Sequence, residues 1–184
     1  MHVGIYDDGI ETTHTDLAAN YDALLHFVFG GTTYAPTVTL PDDSHGTSVA
    51  GLIAAVDGNG SGGVGVAHGA RITGVDVFSP ALTANDTIEG AMIRWANHFD
   101  IMSNSWGWTP LYDDFQDIGD AGTIQDNYDN WYATIAQTGR GGLGTVIVQS
   151  AGNDTSNANG DGVDVSRYTI TVSATEQDGF IADY

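Results

Sequence analysis

Short apolar runs alternate with amphipathic stretches along this chain, separated by polar or glycine-rich breaks. Val3–Tyr6 is apolar and is stopped by Asp7-Asp8-Gly9, which predicts a strand ending in a tight turn. Leu24–Phe29 predicts a second strand, followed by Gly30-Gly31 and a polar excursion to Asp43. Val49, Leu52, Ile53 and Val56 then recur at helical spacing behind Ser44, a small polar residue in N-cap position. A helix from His45 to about Val56 follows. Gly58–Gly65 reads as a glycine-rich loop and Ala70–Phe78 as a strand. Asp86-Thr87-Ile88-Glu89 reads as a capping box opening a helix. One face of that helix carries Ile88, Ala91, Met92, Trp95, Ala96 and Phe99. Ile101–Ser105 predicts a short strand cut off at Trp106-Gly107, and Tyr112 to Asn130 an acidic, aromatic-dotted surface segment. Asn130–Thr138 predicts a helix ending at Gly139-Arg140-Gly141-Gly142. Thr145–Ser150 predicts a buried strand ending in Ala151-Gly152-Asn153, and Tyr168–Thr175 the last strand.

Strands separated by helices imply an α/β fold with a mostly parallel sheet and helices on both faces. In such sheets functional groups gather at the carboxyl edge. Asp7, the Ser103–Gly107 turn and Asn153 all follow predicted strands, while His45 opens a helix. They can meet in one cleft although far apart in sequence. At the start of a helix the positive end of the dipole favours a neutral imidazole, the form a general base needs.

Composition narrows the partners. The 184 residues carry a formal charge of −20, from 24 acids against four arginines and no lysine. Such a surface repels nucleic acid and anionic membranes and attracts metal cations or basic peptides. A salt-adapted, solvated surface has the same composition. There is no cysteine, which excludes disulfides, thiolate nucleophiles and zinc–sulfur sites. No apolar run is long enough to insert in a membrane. Neither an internal repeat nor an interdomain linker interrupts the chain, and residues 1–184 read as part of a single domain.

Seven blocks in order carry a resemblance: Val3–Glu11, His14–Asp22, His45–Gly51, Gly63–Ala67, Ser103–Gly107, Gly139–Gly144 and Ser150–Asn153. Together the chain resembles the subtilisin-like serine peptidases, most closely their kexin/furin-like branch. The resemblance implies a three-layer, subtilisin-like fold, incomplete at its C-terminus, and the N-terminal part of a peptidase catalytic domain. By position Asp7 is the triad acid, His45 the general base and Asn153 the oxyanion-hole amide. Ser105-Trp106-Gly107 is the extended segment that pairs with substrate backbone, although core packing is the other reading of Trp106. The family's nucleophile lies on a Gly-Thr-Ser block downstream of the oxyanion asparagine, and no such block follows here before Tyr184. Gly46-Thr47-Ser48 belongs to the histidine motif, and Ser150 matches no nucleophile position. The 184 residues alone are therefore expected to show little triad-dependent hydrolysis.

The resemblance also implies a structural calcium held by Asp16 and Asn59 through side chains and by Val56, Ser61 and Gly63 through carbonyls. It places Asp8, Asp42 and Glu89 as acids of a cleft that recognises basic residues. Asp161, with Asp113 or Asp114, falls near the first basic position and a second calcium. Trp108–Tyr112 departs from the branch pattern, as does Asp154 after Asn153, so basic specificity and a broader subtilase preference both stay open. The implied partner is a protein or peptide substrate, and the implied location is secreted or extracellular. A catalytically inactive, calcium-stabilised binding module is the alternative. A nucleotide-binding protein would need Gly58-x-Gly60-x-x-Gly63 to follow a strand, whereas it follows a helix.

Overall fold

A computed structural model of the chain describes residues 1–38, 43–107, 124–153, 155 and 157–182, the side chains of 124–126 excepted. Its centre is a five-stranded parallel sheet in the order β4-β1-β5-β6-β7. The strands are β1 (His2–Asp7), β4 (Arg71–Asp76), β5 (Ile101–Asn104), β6 (Val146–Ser150) and β7 (Thr169–Val172). Because β1 lies between β4 and β5, the path through the sheet reverses direction around it. That reversal is the topological feature that opens a crevice at the carboxyl edge of open parallel sheets.

Alternation along β1 feeds two cores. Val3 and Ile5 pack with Ile72, Ala50 and Ala54 on the face covered by α1 (His45–Ala54). Tyr6 joins Met102, Ile147, Met92, Tyr132 and Ile135 on the face covered by α2 (Asp86–Arg94) and α3 (Ile124–Gly142). Helices thus cover both faces, as the sequence predicts. Gly4, on the second face, lies directly beneath the Phe99 ring, which a Cβ would overlap.

Several local expectations need correction. Leu24–Phe29 is not one strand: a 3-10 turn at Ala23–Leu25 leaves Leu24 exposed, and β2 (Phe27–Phe29) pairs with β3 (Thr32–Tyr34) in a separate hairpin. Asp22 caps that turn by accepting from the Leu24 N–H at 3.0 Å, which explains why the extended run starts late. Helix α1 stops at Ala54, and its buried positions are Gly46, Ala50 and Ala54, while Leu52 is 73% exposed. Ser44 makes no side-chain cap. The capping box at Asp86 is also shifted: Asn85 is the N-cap, accepting from Thr87 and Ile88 at 3.1 and 3.2 Å. Helix α3 begins before Asn130 and breaks at Gly139–Gly141, where Arg140 and Gly141 adopt positive φ.

The Gly4–Phe99 contact has a direct test. Gly4→Ala should destabilise the fold by about 1–3 kcal/mol, because the ring is buried and cannot withdraw without opening the core. A denaturant midpoint unchanged from wild type would contradict that packing.

Candidate active site

The site is built on the end of β1. Asp7 is the last residue of the strand and is 2% exposed. Its Oδ1 lies 2.8 Å from His45 Nδ1 and also accepts from the Asp8 N–H at 2.8 Å. Oδ2 is buried without a hydrogen-bond partner among the described residues. Burial, the largest influence, pushes the Asp7 carboxyl above its ordinary range, and the hydrogen bond from His45 works against it. The imidazole is 60% exposed. A carboxylate on Nδ1 makes that nitrogen the donor, so in the neutral ring the lone pair sits on Nε2, the nitrogen that Asp7 does not hold.

The first turn of α1 is pressed onto the turn after β1. A Cβ at Gly46 would meet the Gly9 carbonyl and would lie 2.9 Å from the Asp7 Cβ. Gly9 has φ +116°, a conformation that favours glycine. The Asp8 carboxylate accepts from the backbone of His45 at 3.1 Å and of Gly46 at 2.7 Å. Glu11 N–H donates to the Thr47 hydroxyl at 2.9 Å.

The ends of β5 and β6 lie beside this pair. Sheet order sets β1, β5 and β6 next to one another, so the edge from Asp7 to the end of β6 spans roughly 10 Å at about 4.8 Å per strand. Asn153 follows β6 on an exposed turn that Gly152 enters with φ +79°. Ser105, Trp106 and Gly107 follow β5. The Trp106 carbonyl is held inward, accepting from Gln149 Nε2 and from Ser150 Oγ. The carbonyls of Ser105 and Gly107 accept no hydrogen bond among the described residues. Both serines that imitate a nucleophile are engaged: Ser150 as just given, and Ser48 Oγ on the Ser44 carbonyl at 3.0 Å.

Acids flank the same edge. Asp161 is 5% exposed and accepts from the Val163 N–H at 2.9 Å, and its Oδ2 would lie 2.8 Å from a Cβ at Gly107. Glu89, Trp106, Gly107, Val77, Phe78 and Tyr128 line a cleft of about 300 Å³. Tyr128 donates to Glu89 at 2.7 Å and meets the Trp106 ring edge-on at 5.8 Å between centroids. Burial first, and the Glu89 charge second, push the Tyr128 hydroxyl well above its ordinary pKa, so it stays a donor. Trp106 therefore both packs on the core and walls the cleft. Asp42, Asp113 and Asp114 lie outside the described residues, as do Trp108–Tyr112 and Asp154.

The profile of the Subtilase family matches residues 1–184. The chain belongs to the subtilase family. Furin of Homo sapiens is 38% identical over 189 residues, covering 99% of this chain and 23% of furin. Proprotein convertase subtilisin/kexin type 4 of Homo sapiens is 36% identical over 192 residues, covering 99% and 24%. The chain thus spans about a quarter of the length of these relatives. Among solved structures, the serine protease of Aeromonas sobria superposes with a TM-score of 0.79 at 25% identity, covering all of this chain and 34% of that one.

In this subtilase the loop that the resemblance assigns to calcium closes on a buried carboxylate. Asp16 is 5% exposed, with Oδ1 accepting from Asn59 Nδ2 at 2.7 Å and Oδ2 from the Gly63 N–H at 3.0 Å. Asn59 Oδ1 accepts from the Ser61 N–H at 2.9 Å. A Cβ at Gly62 would overlap the Asp16 carboxylate, so the loop encloses it. The carbonyls of Val56, Ser61 and Gly63 accept no hydrogen bond among the described residues. Among those residues no cluster of three or more His, Asp or Glu side chains forms a metal cage. A cation here would rest on one carboxylate, one amide oxygen and carbonyls, an all-oxygen set that fits calcium after a half-turn of the Asn59 amide.

Two site residues escape sequence reasoning. Tyr128 falls in the segment whose sequence predicts an acidic surface, yet it is buried; its spacing to Trp131 and Tyr132 is the helical signal that marks it. Gln149, fully buried opposite Asn104 on β5, carries no sequence signal for its bond to the Trp106 carbonyl.

The raised Asp7 carboxyl has a measurable consequence. A carboxyl whose folded pKa lies above 3.8 stabilises the fold most below pH 3.8, and that contribution is lost as pH rises through the folded value. Asp7→Asn, which never ionises, should therefore gain stability relative to wild type as pH rises above 3.8 towards neutrality. Thermal unfolding of both proteins across that range reads the difference, and a gap that stays flat with pH contradicts it.

Proposed function

We propose that this chain supplies the acid, the base and the oxyanion donor of a subtilisin-like serine endopeptidase. The observation that carries the reading is the buried Asp7 carboxylate on His45 Nδ1, with the ring otherwise exposed. In the reaction Nε2 takes the proton of the attacking serine hydroxyl and later gives it to the leaving amine. Asp7 holds the tautomer and stabilises the imidazolium formed between those steps. The Asn153 amide donates to the tetrahedral oxyanion. Substrate lies along Ser105–Gly107 as an added strand, bonding the carbonyls that the fold leaves unused. The resemblance assigns the attacking serine to a Gly-Thr-Ser block, a role that Ser48 and Ser150, each bonded to a backbone carbonyl, do not match by position.

The resemblance to the kexin-like branch supports a preference for basic substrates, with Asp161 and Glu89 beside the Ser105–Gly107 edge. Calcium, bound by Asp16, Asn59, Val56, Ser61 and Gly63, would tie the loop after α1 to the segment after β1. Its contribution there is structural. The same resemblance and the acidic surface support a secreted or extracellular enzyme. No described helix is long and apolar enough to cross a membrane.

The full-length protein tests this directly. It should react with a serine-directed fluorophosphonate and cleave peptides, and Asn153→Ala should lower kcat about 10²–10³-fold with little change in KM. An unreactive full-length protein that binds peptide without cleaving it would establish the inactive-module reading instead. Calcium has its own readout: millimolar calcium should raise Tm in wild type and not in Asp16→Ala. An equal response in both proteins removes this loop as the site.

A further inference from the structure

Asp8 stands beside the acid–base pair and is matched by resemblance to a substrate-recognising acid, yet its hydrogen bonds point elsewhere. Both of its carboxylate oxygens are engaged by the start of α1: Oδ2 by the His45 N–H at 3.1 Å and Oδ1 by the Gly46 N–H at 2.7 Å. These are N–H groups that the first turn of a helix leaves unsatisfied. The residue in N-cap position, Ser44, leaves the task undone. Its side chain makes no cap bond, and its carbonyl receives the Ser48 hydroxyl. The cap therefore comes from another element, 37 positions earlier in sequence for His45. The approach is permitted by Gly46, because a Cβ there would meet the Gly9 carbonyl and lie 3.1 Å from Asp8 Oδ1.

We propose that Asp8 is a positioning residue, which fixes the backbone of His45 while Asp7 fixes its ring. Consecutive residues of one strand end thereby hold a single histidine at two points, Nδ1 by Asp7 and the backbone N–H by Asp8. Two such points set both the place of the ring and its rotation. With the carboxylate removed, the first turn of α1 loses its acceptor and the ring is left with one attachment. Misplacement of a reacting group by about 1 Å is enough to cost on the order of 10² in rate. What capping needs is an acceptor, whereas recognition of a basic substrate side chain needs a negative charge. Asparagine carries no charge and keeps one acceptor oxygen, which can take two successive N–H groups at a helix start as Asn85 Oδ1 does from Thr87 and Ile88, so one pair of variants separates the two roles.

The inference rests on His45 acting as the base, and the experiment keeps the two claims apart. The full-length protein, Asp8→Ala and Asp8→Asn are compared on two peptides that differ only in Arg or Ala at the second residue before the cleaved bond. Asp8→Ala should lower kcat about tenfold on both peptides with KM changed less than about twofold, and Asp8→Asn should restore kcat to within about threefold of wild type. A loss confined to the Arg peptide, appearing in KM and equal in both variants, overturns the proposal in favour of a charge that touches substrate. Site-resolved hydrogen exchange at the His45 and Gly46 amides is independent of turnover. Exchange should quicken about tenfold or more in Asp8→Ala and stay near wild type in Asp8→Asn. Unchanged exchange in Asp8→Ala overturns the proposal. If His45→Ala hydrolyses peptide as well as wild type, the proposed function fails, and the exchange rates still decide what Asp8 does.

Discussion

A carboxylate that is 2% exposed, with one oxygen unpartnered among the described residues, is an expensive thing to place at the end of a central strand. Everything around Asp7 is arranged so that the chain cannot relax away from that position. β1 is hydrogen-bonded on both sides, by β4 and by β5, so its end cannot swing. The turn after it is locked by Gly9 and pinned by the Ile10 N–H on the Pro36 carbonyl at 2.8 Å. Helix α1 then closes over the turn through Gly46. The raised Asp7 carboxyl is the signature of this confinement. In the proposed reaction the cost is offset when the imidazole becomes cationic, because a buried charge paired with an opposite one is far less unfavourable than one left alone.

The same confinement explains which parts of the fold could be read in advance. Asp7 and His45 were legible because each sits at a local signal, a strand stop and a helix start, and the parallel sheet brings such signals to one edge. The buried stripe of α1 was not. Val49, Leu52, Ile53 and Val56 are the strongly hydrophobic positions, but the fully buried ones on the helix are Gly46, Ala50 and Ala54, with Val49 and Ile53 half-buried at the margin of the same cluster and Leu52 exposed. Periodicity weighs side chains by hydrophobicity, and close packing here selects them by size. Both helix starts differ from the local pattern. Ser44 and Asp86 are the polar residues beside each start, whereas one helix takes its cap from Asp8 and the other from Asn85, one residue earlier. A cap donated across the fold leaves no mark in the local sequence.

Resemblance to the kexin-like branch carries the backbone further than it carries the charges. A TM-score of 0.79 at 25% identity shows how little sequence the sheet and its helices need to keep their arrangement. Within that frame, each cleft acid described by the structure already serves the fold. Asp8 accepts from the start of α1, Asp161 from the Val163 N–H, and Glu89 from the Tyr128 hydroxyl. An acid matched by position to a relative's recognition site is therefore not equivalent to a charge waiting for substrate. Glu89 makes the distinction concrete. Its oxygen is held by a tyrosine that comes from α3, and the apolar rings of Phe78, Trp106 and Tyr128 form much of the cleft around it. On the proposed function such a cleft takes a side chain with a long aliphatic stem, and Tyr128, by orienting the carboxylate, sets the preference for a cationic tip. On the proposed function, specificity is thus a property of hydrogen-bonded pairs, which alignment of single acidic residues cannot read.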